Sequence, residues 1–104
     1  MDILVKGLKE AGSLVLGAES RQLRSGFVVL EKGKEMGEHE TGGGEELIVF
    51  FKGKAEVSYD RKTETVRAPA VVLVPAHILH SVKNASKTPV HYVYVYNMSM
   101  DKFC

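Results

Sequence analysis

Apolar residues along this chain recur with the period of a strand, and no segment carries a sustained helical period. Gln22 to Glu31 contains the β-branched and aromatic run Phe27-Val28-Val29-Leu30 and is ended by Gly33. Leu47-Ile48-Val49-Phe50-Phe51 is apolar on both faces, which predicts a strand covered on both. Glu56-Val57-Ser58-Tyr59 alternates with period two. Val66 to Val74, Ile78 to Lys83 and Val90 to Tyr96 complete the set; Pro69, which cannot donate to a ladder, belongs at an edge or a strand start. Turn residues punctuate these runs: Gly42-Gly43-Gly44, a hairpin turn at Lys52-Gly53-Lys54, a second turn at Asp60-Arg61-Lys62, and the polar stretch from Asn84 to Pro89. Residues 1–20 are less regular. Ile3, Leu4 and Leu8 fit a short helix or an opening strand, Leu14-Val15-Leu16 fits a brief strand, and Gly7, Gly12 and Gly17 come too often for a long helix. About eight or nine short strands with frequent turn signals predict an all-β sandwich or barrel.

Composition narrows the function more than the fold. At 104 residues the chain is one domain with a small core. Hydrophobic residues at 44% and charged residues at 26% are globular values, so disorder is excluded. A net charge of +1, with Lys and Glu interspersed, leaves no cationic excess for nucleic acid. Cys104 is the single cysteine, so no intrachain disulfide forms. Met1 to Gly7 lacks the pattern of a signal peptide, and no stretch reaches the ~18 apolar residues of a membrane span. The expectation is a cytoplasmic protein with a small-molecule ligand and neither a nucleic-acid nor a membrane partner.

Alternation then sorts the titratable residues by face. Glu46 is in step with Ile48 and Phe50, His80 with Ile78 and Val82, and His39 with Thr41. If those faces line one interior, His39, Glu46 and His80 converge among apolar neighbours. Two histidines and a carboxylate with open positions form the facial pattern of non-haem Fe(II), and Mn, Ni, Co or Zn suit it too. Each residue also has a plainer reading. His39 can be a polar residue beside a glycine turn, Glu46 a carboxylate paired with a Lys or Arg, and His80 a hydrogen-bonded core histidine.

These positions carry a resemblance. Gly33, His39, Thr41, Glu46 and Gly53 follow the spacing G-x5-H-x-H-x3,4-E-x6-G with only the second histidine replaced, by Thr41. Pro75, His80 and Asn84 follow G-x5-P-x-G-x2-H-x3-N, with Pro69 and His77 where the glycines would stand. The chain therefore resembles the cupins over about residues 25–98, with seven matched positions in two motifs. The resemblance implies a single-domain jelly-roll (double-stranded β-helix) barrel, a divalent transition metal held by His39, Glu46 and His80, and a homodimer. It places Thr41 in the pocket at the fourth ligand position, where a neutral hydroxyl is a poor ligand. The site is either a three-ligand centre with a position opened for water or substrate, or a pocket that has given up its metal.

Other residues read two ways. His77, in the turn before His80, is a rim residue or an acid/base catalyst reaching inward. His91 shares a face with Val93 and Val95 and reads as a packed histidine. Tyr92, Tyr94 and Tyr96 form a stripe on the other face of the last strand, read as strand packing or a subunit interface; turned inward, they would offer pocket hydroxyls. Gly42-Gly43-Gly44 lacks the following Lys and Ser/Thr of a phosphate loop. Leu47, Val49 and Phe51 form an outward face that a monomer leaves uncovered. Two functions compete: metal-dependent chemistry on a small polar or anionic molecule (oxygenation, isomerisation or decarboxylation), and non-catalytic binding or sensing of a small molecule.

Overall fold

Seven of the eight strands form where alternation and turn residues place them, the exception being the one at Lys62–Arg67, and the computed structural model describes residues 2–98; Cys104 lies outside the described residues. In chain order they are β1 (Gly12–Val15), β2 (Leu23–Leu30), β3 (Glu46–Lys52), β4 (Lys54–Tyr59), β5 (Lys62–Arg67), β6 (Ala70–Val74), β7 (His80–Lys83) and β8 (Val90–Asn97). They make two antiparallel sheets, a larger one of order β1-β2-β8-β3-β6 and a smaller one of order β5-β4-β7. This is the jelly-roll expected. Among the described residues no helix is long and apolar enough to cross a membrane.

Two connections differ from the sequence reading. Lys52-Gly53-Lys54 is not a hairpin, because β3 and β4 belong to different sheets and the chain turns a corner there. Gly53 permits it: its φ is +91°, and an added Cβ would lie 2.6 Å from the Pro89 carbonyl oxygen. The apolar stretch from Val66 to Val74 likewise divides at Ala68-Pro69, placing β5 in one sheet and β6 in the other. The true hairpin is β4–β5, closed by Asp60 and Arg61 in the left-handed region with φ of 46° and 62°.

The core lies between the sheets. Ile48 and Phe50 of β3, Val57 of β4, Val74 of β6, Val82 of β7, and Val90 and Tyr92 of β8 are buried there together. A fully buried side chain of this kind contributes roughly 1.5–3 kcal/mol, so these few residues hold much of the fold. Among the described residues nothing covers the opposite face of β3, the outward face expected to stay open in a monomer. Leu47 and Phe51 are exposed, beside Val71 and Leu73 of the edge strand β6.

The stretch before the glycine turn completes the smaller sheet. Glu35 bridges Lys83, and His39 bridges His80, so residues 35–39 run antiparallel along the free edge of β7. The Met36 amide donates to the Val82 carbonyl at 3.0 Å, and His39 and His80 exchange backbone bonds of 3.0 Å. Four residues advance from Glu35 to His39 while three are used from Lys83 to His80, so one extra residue is accommodated. Gly37, at φ +80°, lies within this bulge. Strict alternation would send Met36 and His39 to opposite faces; the bulge lets both line the same cavity.

Candidate metal centre

Each of the three metal-ligand candidates comes from a separate stretch of chain. Glu46 opens β3 in the larger sheet, His80 opens β7 in the smaller one, and His39 ends the bulged stretch beside β7. One ligand atom from each lies within 4.8 Å of the others. Glu46 Oε1 is 2.6 Å from His80 Nε2 and 3.6 Å from His39 Nε2. The imidazoles tilt against each other with centroids 4.3 Å apart. The His80 side chain is wholly buried and that of Glu46 is 4% exposed, whereas His39 is 41% exposed at the mouth.

Backbone carbonyls orient both rings. His80 Nδ1 lies 2.9 Å from the carbonyl of Ile78, and His39 Nδ1 lies 3.3 Å from that of Gly37, each two residues back. A carbonyl only accepts, so Nδ1–H donates to it and Nε2 is left as the acceptor facing the site. Two imidazole acceptors and a carboxylate then face one another, an arrangement that requires a cation among them: protons, or a metal ion. Without a metal, protons fill this role. Burial acts to raise the Glu46 carboxyl, but the bonds to His39 and His80 outweigh it and hold it down at about 2. The same bond to Glu46 raises the His39 imidazolium above its ordinary value, against the effect of burial. The donor set and its spacing fit a divalent transition ion.

Thr41 and His77 are placed elsewhere. The half-buried Thr41 hydroxyl donates to the Gly44 carbonyl at 2.6 Å, closing the glycine turn. His77 is exposed at φ 65°, its amide donating to the Gly42 carbonyl at 2.8 Å, and it is not among the residues lining the cavity at His39 and Glu46. His91 packs its ring against Phe27, at 6.0 Å between centroids.

The tyrosine stripe, read from sequence as packing or an interface, faces inward. A cavity of about 330 Å³ is lined by Met36, His39, Glu46, Ile48, Val82, Tyr92, Tyr94 and Tyr96. Register explains it: Tyr96 pairs with Glu46, Tyr94 with Ile48 and Tyr92 with Phe50, all on the core face of the larger sheet. Tyr92 is 2% exposed and packs its ring on Phe50 at 5.2 Å between centroids. Burial, with Glu46 nearby, pushes the Tyr92 phenol well above its ordinary range. Met36 and the tyrosines are the cavity residues not assigned there from sequence. The signals were Gly37 within a strand-like run and the shared parity of Glu46 with Ile48, to which the stripe is paired.

Comparison with known proteins agrees with this architecture. The chain superposes on a cupin of double-stranded β-helix fold from Methanocaldococcus jannaschii with a TM-score of 0.82 at 17% identity, covering 99% of this chain and 97% of that one. A predicted oxalate decarboxylase from Thermotoga maritima gives 0.78 at 20% identity, over 85% and 78% of the two chains. The Cnp3 cupin domain of Schizosaccharomyces pombe gives 0.78 at 23% identity, over 88% of this chain and only 66% of that one. No curated protein matches the sequence. The family model for the cupin domain matches residues 26–96, the span that holds both sheets' inner strands and all three ligand candidates, and the chain belongs to the cupin family.

Proposed function

We propose that His39, Glu46 and His80 hold one divalent transition metal (Fe, Mn, Ni, Co or Zn) and that the cavity beside them takes a small oxygen-bearing molecule on which the metal acts. The observation that carries this reading is the convergence of two carbonyl-oriented imidazoles and a buried carboxylate, three acceptors facing one another. When bound, such an ion supplies a Lewis-acid or redox centre with coordination positions left for a ligand. The chain's own part is to orient the rings through Ile78 and Gly37, to exclude water with Ile48 and Val82, and to position the ligand against the tyrosines. Oxygenation, isomerisation and decarboxylation all fit a site of this kind, and the fold does not select among them.

Metal content of protein purified without an affinity tag tests the proposal. Stoichiometric metal that is lost in His39→Ala and in His80→Ala is the expected result. No metal after growth with added Fe, Mn, Ni and Zn, or content unchanged by both substitutions, refutes it. The second reading, a non-catalytic small-molecule binder, draws support from Thr41, whose hydroxyl is committed to Gly44 rather than to the site. It predicts ligand binding without metal.

The assembly proposed is a homodimer through the outer face of the larger sheet. Its support is the apolar row of Leu47, Phe51, Val71 and Leu73, the last two 64% and 59% exposed, beside what is among the described residues an edge strand. Sedimentation should show a dimer that Val71→Lys with Leu73→Lys converts to monomer; a wild-type monomer at high concentration excludes it.

A further inference from the structure

The cavity walls specify more than a metal. Tyr94 and Tyr96 lie nearly parallel, 15° apart with centroids 6.0 Å from each other, and both line the cavity. Tyr94 lies over its cross-strand partner Gly26: a Cβ at position 26 would fall 2.5 Å from the Tyr94 hydroxyl oxygen and 2.6 Å from its ring. The absence of a side chain at 26 thus lets that ring lie against β2. Met36 and Val82, from the smaller sheet and the stretch beside it, line the cavity as well; a methionine there is a soft, adaptable surface for a ring. Among the described residues the polar groups on the wall are few: His39, Glu46 and the three phenols.

Among the described residues no Lys or Arg lines it. Arg24 sits in the same cross-strand row as Tyr96 and Glu46, but its Nη1 donates to the carbonyls of Ser20 and Leu23, at 2.9 and 2.8 Å. The positive charge held at the site, a proton on His39 or a metal ion, is already partnered by Glu46, so a ligand bearing two or more negative charges would enter with no Lys or Arg among the described wall residues to balance it.

We infer that the ligand of this site is a flat aromatic or conjugated molecule carrying an oxygen group and at most one negative charge. Its ring lies on Tyr94 and Tyr96, and its oxygen lies toward the metal-ligand candidates, within reach of the Tyr92 hydroxyl. This deepens the proposal for the site and rests on its location, while the ring-binding surface is formed by residues outside the ligand set.

Three probes, all ionised at neutral pH but different in shape and charge, test it: benzoate, cyclohexanecarboxylate and malonate. Each is titrated into metal-loaded and chelator-stripped protein while the Met36 methyl and tyrosine ring signals are followed by NMR. Benzoate should bind more tightly than cyclohexanecarboxylate by about fivefold or more, because only the flat ring stacks. It should shift the Met36 methyl by its ring current, and in the chelator-stripped protein, where malonate has no metal to chelate, malonate should bind more weakly than either. Tyr96→Leu should abolish the benzoate preference while leaving metal content intact. Gly26→Ala, which alters no residue of the cavity wall, should weaken benzoate by driving Tyr94 into the cavity. Equal or tighter binding of cyclohexanecarboxylate in either form, or of malonate in the stripped form, or no binding of benzoate in either form, overturns the inference. Protein that never takes up metal but keeps the benzoate preference refutes the metal proposal and leaves this one standing.

Discussion

Glu46→Gln separates a ligand from a structural bridge, because the two roles predict different losses. The substitution keeps the shape of the side chain and one acceptor oxygen but removes its charge. Glu46 is nearly fully buried, and its 2.6 Å contact with His80 is in the short range typical of charge-assisted bonds. Such bonds contribute about 1.5–3 kcal/mol and neutral ones about 0.5–1.5, so the metal-free variant should lose about 1–2 kcal/mol. For a domain of this size that lowers Tm by about 5–15 °C. The metal should respond far more strongly. Altering a residue behind a ligand already costs about 10–100-fold in affinity, so removing the set's one carboxylate should cost about 100-fold or more. Urea unfolding of chelator-treated protein gives the first quantity, and competition with a chromophoric chelator for Mn or Zn gives the second. Unchanged metal affinity in Glu46→Gln would refute the assignment of Glu46 as a ligand. A stability loss beyond about 4 kcal/mol would show instead that the carboxylate is chiefly a partner for buried histidine charge.

Three further outcomes follow from the geometry. In the metal-free protein, Glu46 stabilises the fold fully above about pH 4.5 and loses that contribution as pH falls through about 2, whereas His39, with its pKa raised, contributes fully below about 6.5 and loses it as pH rises through the raised value. Stability measured against pH should therefore be greatest between about 4.5 and 6.5, and His39→Ala should flatten the alkaline limb; an unchanged limb counts against the His39–Glu46 pairing. Asn84→Ala should cost about 2–4 kcal/mol in urea unfolding without changing metal content per folded chain, because the fully buried amide donates to Leu30 and Thr88 carbonyls and accepts from Ser86. Gly53→Ala should lower stability by about 1–3 kcal/mol, since its positive φ and the Pro89 carbonyl leave no room for a methyl; wild-type stability would show that the corner relaxes freely.

Legibility in the sequence tracked how local each feature is. Strand positions follow from alternation and turn residues, which act within a few residues of themselves, and seven of the strands lie where those signals put them. Sheet membership is set by contacts far along the chain. Lys52-Gly53-Lys54 has the composition of a hairpin, and only the packing of Gly53 on Pro89 and Val90 shows that it is a corner. The nearness of His39, Glu46 and His80 could be anticipated because the motif spacing encodes their register. Whether the tyrosines faced inward could not be, since His91-Val93-Val95 and Tyr92-Tyr94-Tyr96 are both plausible inner faces until the pairing of Tyr96 with Glu46 is known. Thr41 occupies a ligand position by spacing, but its hydroxyl is drawn into a local bond with Gly44 that spacing does not reveal.

The three ligand candidates are held with unequal rigidity, and this has a kinetic consequence. Glu46 and His80 stand on strands of facing sheets, so together they form a fixed half-site deep in the sandwich. His39 stands on the bulged stretch at the mouth, tied to β7 by a few backbone bonds. An ion held by all three would enter and leave on the side of His39, and its residence time would be governed by how often residues 35–39 detach from β7. Exchange of the metal would then be faster than unfolding, so the protein could be stripped, reloaded or poisoned by a competing ion while both sheets stay assembled.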